Sequence, residues 1–164
     1  MKALRNILIT AFFTTGLFFS VTYTACNKDR CNNVACLNGG VCDGGNCTCA
    51  AGFEGNRCQK PSRDKHIGNY NGSDSCSVVG QRQYYIRFKA VPNKAQMALF
   101  NILGNPADSA LCSMVAADSF LFNGNNNSTS YRGWGTIRND SLHMEYSVLQ
   151  DTTNYDCEYN GLKY

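Results

Sequence analysis

The chain has 164 residues, with 15 Lys and Arg against 12 Asp and Glu and 10 Cys. Setting Lys2 and Arg5 aside as part of an N-terminal leader leaves 13 basic and 12 acidic residues, a balance that excludes a nucleic-acid binder and a polybasic membrane-surface binder. All ten cysteines lie beyond residue 25, which fits an oxidising compartment, and the remainder is rich in Asn, Gly, Ser, Thr and Tyr, which favours strands and turns over helix.

Residues 1–25 open with Lys2 and Arg5, continue through the uncharged run Ile7–Val21 and end in the small polar residues Thr22 to Ala25. That is the basic, apolar and small-residue order of a secretory signal peptide, and the run is shorter than the roughly 20 residues needed to span a membrane. Cys26 follows directly, and its role depends on the module after it.

Residues 31–58 hold Cys31, Cys36, Cys42, Cys47, Cys49 and Cys58 in the spacing C-x4-C-x5-C-x4-C-x-C-x8-C. So short a segment cannot bury enough apolar surface to fold on core packing, so crosslinks of about 2–4 kcal/mol each must stabilise it. Six cysteines allow 15 pairings, and spacing alone selects none. Gly39-Gly40 and Asp43-Gly44-Gly45-Asn46 supply tight turns.

The six cysteines, Asn38-Gly39-Gly40 and the ending Gly52-Phe53-x-Gly55-x-x-Cys58 resemble an EGF-like domain. The resemblance implies the disulfide pairs Cys31–Cys42, Cys36–Cys47 and Cys49–Cys58. It does not extend to the family's calcium site, because Lys28 and Arg30 stand where hard oxygen ligands are needed. It does not extend to receptor-activating growth factors either: only four residues separate Cys42 from Cys47, Gln59-Lys60-Pro61-Ser62 stands after Cys58 where a leucine is needed, and Arg57 reads as a solvated turn residue.

Moving the pattern one cysteine earlier would put the Cys-x-Cys pair at Cys42 and Cys47, which are too far apart, so Cys26 lies outside the module. Thr24-Ala25-Cys26 after the apolar run resembles a bacterial lipobox, with Tyr23 in place of the usual leucine. That implies a lipidated Cys26 and a membrane partner reached through the lipid. Asn27-Lys28-Asp29 resembles the tether that sends such lipoproteins to the outer face of the outer membrane, so residues 26–30 read as lipidated Cys and tether. The alternative is a secreted protein in which Cys26 pairs with Cys112.

Residues 59–66 are charged, contain Pro61 and show no periodicity, so they read as a linker. From 67 to 164 a period of two takes over. Tyr84, Ile86, Phe88 and Ala90 share one face with Arg87 and Lys89 opposite, and Leu142, Met144, Tyr146 and Val148 share another with His143, Glu145 and Ser147 outside. Arg138-Asn139-Asp140-Ser141 joins the latter strand to one over 131–137, and further strands are predicted over 67–75, 96–103, 111–115, 119–122 and 156–164. Asn93-Lys94, Gly104-Asn105-Pro106 and the run Asn123–Asn127 are read as turns. About eight strands with short connections form an antiparallel meander, expected to close into a β-barrel, with a β-sandwich as the alternative.

Gly68 to Cys76, Gly133-Trp134-Gly135 and Cys157 are similar to small lipoprotein domains of Bacteroidota-type bacteria with a lipocalin-like β fold. In a closed up-and-down barrel the first and last strands are neighbours, which predicts a disulfide between Cys76 and Cys157. Cys112, on a face with Ala110 and Met114, is then a buried free thiol behaving as a small hydrophobe. A nucleophilic role would need a nearby base, and the only histidines are His66 in the linker and His143 on an outward face. Trp134, Tyr131, Tyr84 and Tyr85 are read as barrel wall and core before any ligand platform.

No metal-spaced ligand set, phosphate loop or paired catalytic carboxylates stand out, so neither a metal nor any other cofactor is expected. The sequence therefore reads as an exported, lipid-anchored surface protein, mostly β, with a small disulfide-knit module before a barrel. Its expected function is non-catalytic binding or adhesion, with an extracellular protein or glycan as partner. The alternative is a lipocalin-like carrier of a small apolar ligand.

Overall fold

The computed structural model describes residues 30–126 and 128–164. The leader, Cys26 and the rest of the expected tether up to residue 29 lie outside the described residues. The disulfide-rich module has two small hairpin-like sheets, β1 (Val41–Asp43) with β2 (Asn46–Thr48) and β3 (Phe53–Glu54) with β4 (Lys60–Pro61). Gly44 and Gly45 take positive φ and turn β1 into β2. Disulfides join Cys31 to Cys42, Cys36 to Cys47 and Cys49 to Cys58. Arg57, though exposed, donates from Nε to the Ala35 carbonyl at 3.0 Å, so it ties two turns together instead of standing free in solvent.

Eight antiparallel strands form a closed barrel: β5 (Gly68–Cys76), β6 (Gly80–Ala90), β7 (Gln96–Phe100), β8 (Ser109–Ala116), β9 (Ser119–Asn126), β10 (Thr129–Arg138), β11 (Ser141–Gln150) and β12 (Thr153–Lys163). Each pairs with the next in sequence, and β12 pairs with β5 to close the seam, where Cys157 stands opposite Cys76 and the two form a disulfide. Full closure removes every sheet edge, which resolves the barrel-or-sandwich alternative. Gly72 makes the seam possible: a Cβ there would lie 2.1 Å from the Asn160 carbonyl oxygen of β12.

Alternation determines what fills the lumen. Ile86 and Phe88 of β6 and Leu142, Met144, Tyr146 and Val148 of β11 are buried, as are Ala110, Cys112 and Met114 of β8. An aromatic column runs up the interior through Tyr70, Phe88, Phe120, Phe122 and Tyr146, with successive ring centroids 5.4–6.1 Å apart. Edge-on and tilted contacts of this kind add about 0.5–1.5 kcal/mol each beyond the area they bury.

Three local expectations are corrected. The run Asn123–Asn126 is strand, not turn, because its residues alternate outward and inward opposite Thr129 to Arg132 of β10. Strand β7 ends at Phe100, not Leu103, because Asn101 and Leu103 take left-handed conformations and a 3-10 turn, Ile102–Gly104, follows. Residues 59–66 are not a linker. After β4 they form a 3-10 helix, Ser62–His66, in which Ser62, Arg63 and His66 are buried.

That helix seats the module on one end of the barrel. Arg63 is 7% exposed, and its Nη1 donates to the carbonyls of Val91 and Asn93 at 2.6 Å each and to that of Gln96. The charged composition that suggested solvation instead supplies a plug for three carbonyls of the β6–β7 connection. His66 Nε2 donates to the Ala117 carbonyl at 2.9 Å, and burial lowers its pKa below the usual 6.5. Lys65 bridges Glu54 of the module to Asp118 of the β8–β9 turn, at 3.0 and 2.9 Å. Gly52, at φ +86°, approaches Ala95 and Met114 so closely that a Cβ would lie 2.8 Å from the Ala95 Cβ.

Candidate functional site

Strand directions follow from the register. The ends of β5 at Gly68, of β6 at Ala90 and of β12 at Lys163 face the seated module, whereas Cys76, Gly80, Gln150 and Thr153 surround the opposite mouth. At that mouth β7 is too short to cover the first half of β6, and the connection 101–108 lies there instead. Asn101 pins it, donating from Nδ2 to the Tyr85 carbonyl at 2.5 Å and from its backbone N–H to the Asp108 carbonyl at 3.0 Å. Leu103, in the same connection, holds φ +56°. A left-handed conformation costs a non-glycine residue of this kind about 1–2 kcal/mol.

Beneath the mouth, on top of the aromatic column, lies a buried polar network centred on Asp74, which is 1% exposed. Arg82, directly opposite it on β6, donates from Nη2 to Oδ2 at 2.7 Å. The Tyr84 hydroxyl donates to the same oxygen at 3.0 Å, and the Tyr146 hydroxyl lies 3.5 Å away. Burial raises the Tyr84 and Tyr146 phenols above their ordinary range, so both remain protonated donors. For Arg82, burial works against the charge but the Asp74 carboxylate outweighs it, and the guanidinium is held charged. Removing one partner from such an ion pair leaves a buried charge and costs about 3–5 kcal/mol, here towards the lower figure because Arg82 is partly exposed.

A second buried acid, Asp108, accepts hydrogen bonds from Asn126 Nδ2 at 2.5 Å and from the Tyr131 hydroxyl. Beside Asp108 and the Arg82 partner of Asp74 opens a pocket of about 360 Å³, lined also by Leu103, Asn105, Gln150 and Tyr155, among others. Neither acid was singled out in the sequence, yet the signal was present. Asp74 shares the inward parity of Tyr70 and Cys76, and Arg82 shares that of Tyr84, Ile86 and Phe88. A charge at inward parity on each of two adjacent strands marks a buried pair.

The cysteines divide into separate environments. Cys76 and Cys157 border the polar network, and with Asp74 they form a three-residue group within 4.8 Å. Both sulfurs are in the disulfide, so neither offers a thiolate to a metal. The Cys76 sulfur lies 3.5 Å from Asp74 Oδ2 but has no proton to donate. Cys112 is a free thiol buried between Met97 and Phe122 on neighbouring strands, and burial pushes its pKa far up. Neither histidine engages it: His66 is committed to Ala117, and His143 is on the outer wall, edge-on to Trp134. The four aromatics separate likewise, with Tyr84 and Tyr131 facing inward while Tyr85 and Trp134 are on the outer surface, Trp134 at 40% exposure.

No protein-family model matches this chain, and no curated protein is similar to it. Among solved structures, a chain from Bacteroides ovatus described as a structural-genomics protein of unknown function is similar at 12% identity and a TM-score of 0.42. The likeness covers 59% of this chain and 41% of that one, so the present chain matches less than half of that protein's length.

Proposed function

We propose that the protein is an exported, lipid-anchored, non-catalytic binding protein of the bacterial outer surface. In this reading an EGF-like stalk holds the barrel with its polar mouth directed away from the membrane. One observation carries it: the disulfide-rich module, which follows the proposed anchor at Cys26, is seated on one end of the barrel, and the pocket opens at the other. An anchor on the module's side leaves the mouth as the part that meets an extracellular partner.

Two further features support this reading over its rivals. The lumen is filled by Tyr70, Ile86, Phe88, Met97, Leu99, Phe120, Met144 and Tyr159, which favours contact at the mouth over carriage of an apolar ligand inside. Cys112 is 0% exposed, so a bridge from Cys26 would have to thread into the core; this favours acylation of Cys26 over a secreted form with that bridge. Intact mass of the exported protein tests the anchor. Acyl chains on Cys26 with four disulfides and one free thiol are expected, and an unacylated mature protein with five disulfides would overturn the reading.

A further inference from the structure

Resting on the reading of the mouth as a binding site, we infer that its ligand is a neutral, hydroxyl-rich group, a sugar residue at the end of a glycan. The charge balance sets the first limit. Arg82 is already neutralised by Asp74, and Asp108 adds a further negative charge, so the mouth carries no excess cation to attract a carboxylate or phosphate. Asp108 is 4% exposed and already accepts from Asn126 and Tyr131, so it presents no bare carboxylate to a cation.

What the mouth presents instead is neutral and bidirectional. Among the described residues no hydrogen bond engages Asn105 Nδ2 or Gln150 Nε2, and the Tyr155 hydroxyl makes only a 3.4 Å contact to Gln150 Oε1. Amides and a phenol both donate and accept, as the hydroxyls of a sugar do. Leu103, on the same wall, offers an apolar patch for the C–H face of a sugar ring. The volume of about 360 Å³ is near the small end of the range for small-molecule sites, about 300–1,000 Å³, and suits a terminal residue better than a folded surface.

The test uses the whole exported protein against neutral oligosaccharides ending in hexose or N-acetylhexosamine, matched ones ending in a uronic acid, and an alkylamine. Binding is measured by calorimetry for wild type, for the Asn105→Ala/Gln150→Ala double variant and for Trp134→Ala, each with its melting curve checked. We expect a neutral sugar to bind, the double variant to weaken it at least tenfold and Trp134→Ala to leave it within twofold. Tighter binding of the uronic acid or amine, lost in the double variant, would refute the ligand class but leave the mouth as the site. Sugar binding that survives the double variant, or that is lost only in Trp134→Ala, would refute the mouth itself. Absence of binding by every probe would overturn the inference.

Discussion

Replacing Arg63 by Met keeps most of the apolar stem and removes the guanidinium that seats the module. Nη1 has two N–H groups and three carbonyl acceptors, at Val91, Asn93 and Gln96, so it supplies two full bonds with one shared. A hydrogen bond from a charged donor is worth about 1.5–3 kcal/mol net, so two come to about 3–6 kcal/mol, and little is discounted for solvent at 7% exposure. Carbonyls that regain water as the end of the barrel loosens return part of this, which puts the expected loss at about 3–4 kcal/mol. The neighbouring Lys65 makes two salt bridges but is 42% exposed, so Lys65→Ala is expected to cost about 1 kcal/mol or less. Urea denaturation followed by the fluorescence of Trp134, the single tryptophan, reads both variants on one scale. A loss for Arg63→Met no larger than that for Lys65→Ala would show that the carbonyl cluster does not hold the end of the barrel.

Other outcomes follow from the same structure. His66 is buried with a lowered pKa, so between that value and 6.5 the unfolded chain binds a proton that the folded chain does not, and stability falls as pH falls through that window. Asp118 faces His66, but its own pKa is lowered by Lys65 and its loss belongs to more acid pH; a His66→Gln variant should therefore flatten the change in urea midpoint between pH 7.5 and 5.5, and an unchanged slope would refute the assignment. Removing the Cys76–Cys157 bridge in a double Ala variant opens a loop with a sequence separation of 81 and should cost about 4.5 kcal/mol in the chain-entropy model, read as a shift in urea midpoint. Cys112 should resist iodoacetamide in the native protein and react fully in urea, and rapid native alkylation would contradict its place in the core.

The barrel was legible because its strands are amphipathic and period two survives in Tyr84 to Phe88 and Leu142 to Val148. The Asn run at 123–126 misled because asparagine's turn preference is a local bias, and ladder pairing with β10 along the whole run, joined by β8 at Asn123, overrides it. The segment 59–66 misled for a different reason. A solvated arginine and one enclosed by carbonyls have the same letter, and nothing local tells that the β6–β7 connection will bring Val91, Asn93 and Gln96 to Arg63. The mouth required two strands to be compared at once, since neither Asp74 nor Arg82 is unusual until their shared inward parity and opposed register are seen together.

The closed seam also determines how the molecule bears a pull from its N-terminal side. Tension entering through the 3-10 helix reaches β5 at Gly68 and runs along the strand, so its ladders with β6 and β12 are sheared together instead of being unzipped one bond at a time. At the far end of β5, Cys76 is riveted to Cys157, and the module upstream is cross-linked three times within 28 residues, between Cys31 and Cys58. A load applied across the barrel from its N-terminal side would therefore meet a module and a first strand that lengthen little before the covalent bonds take it.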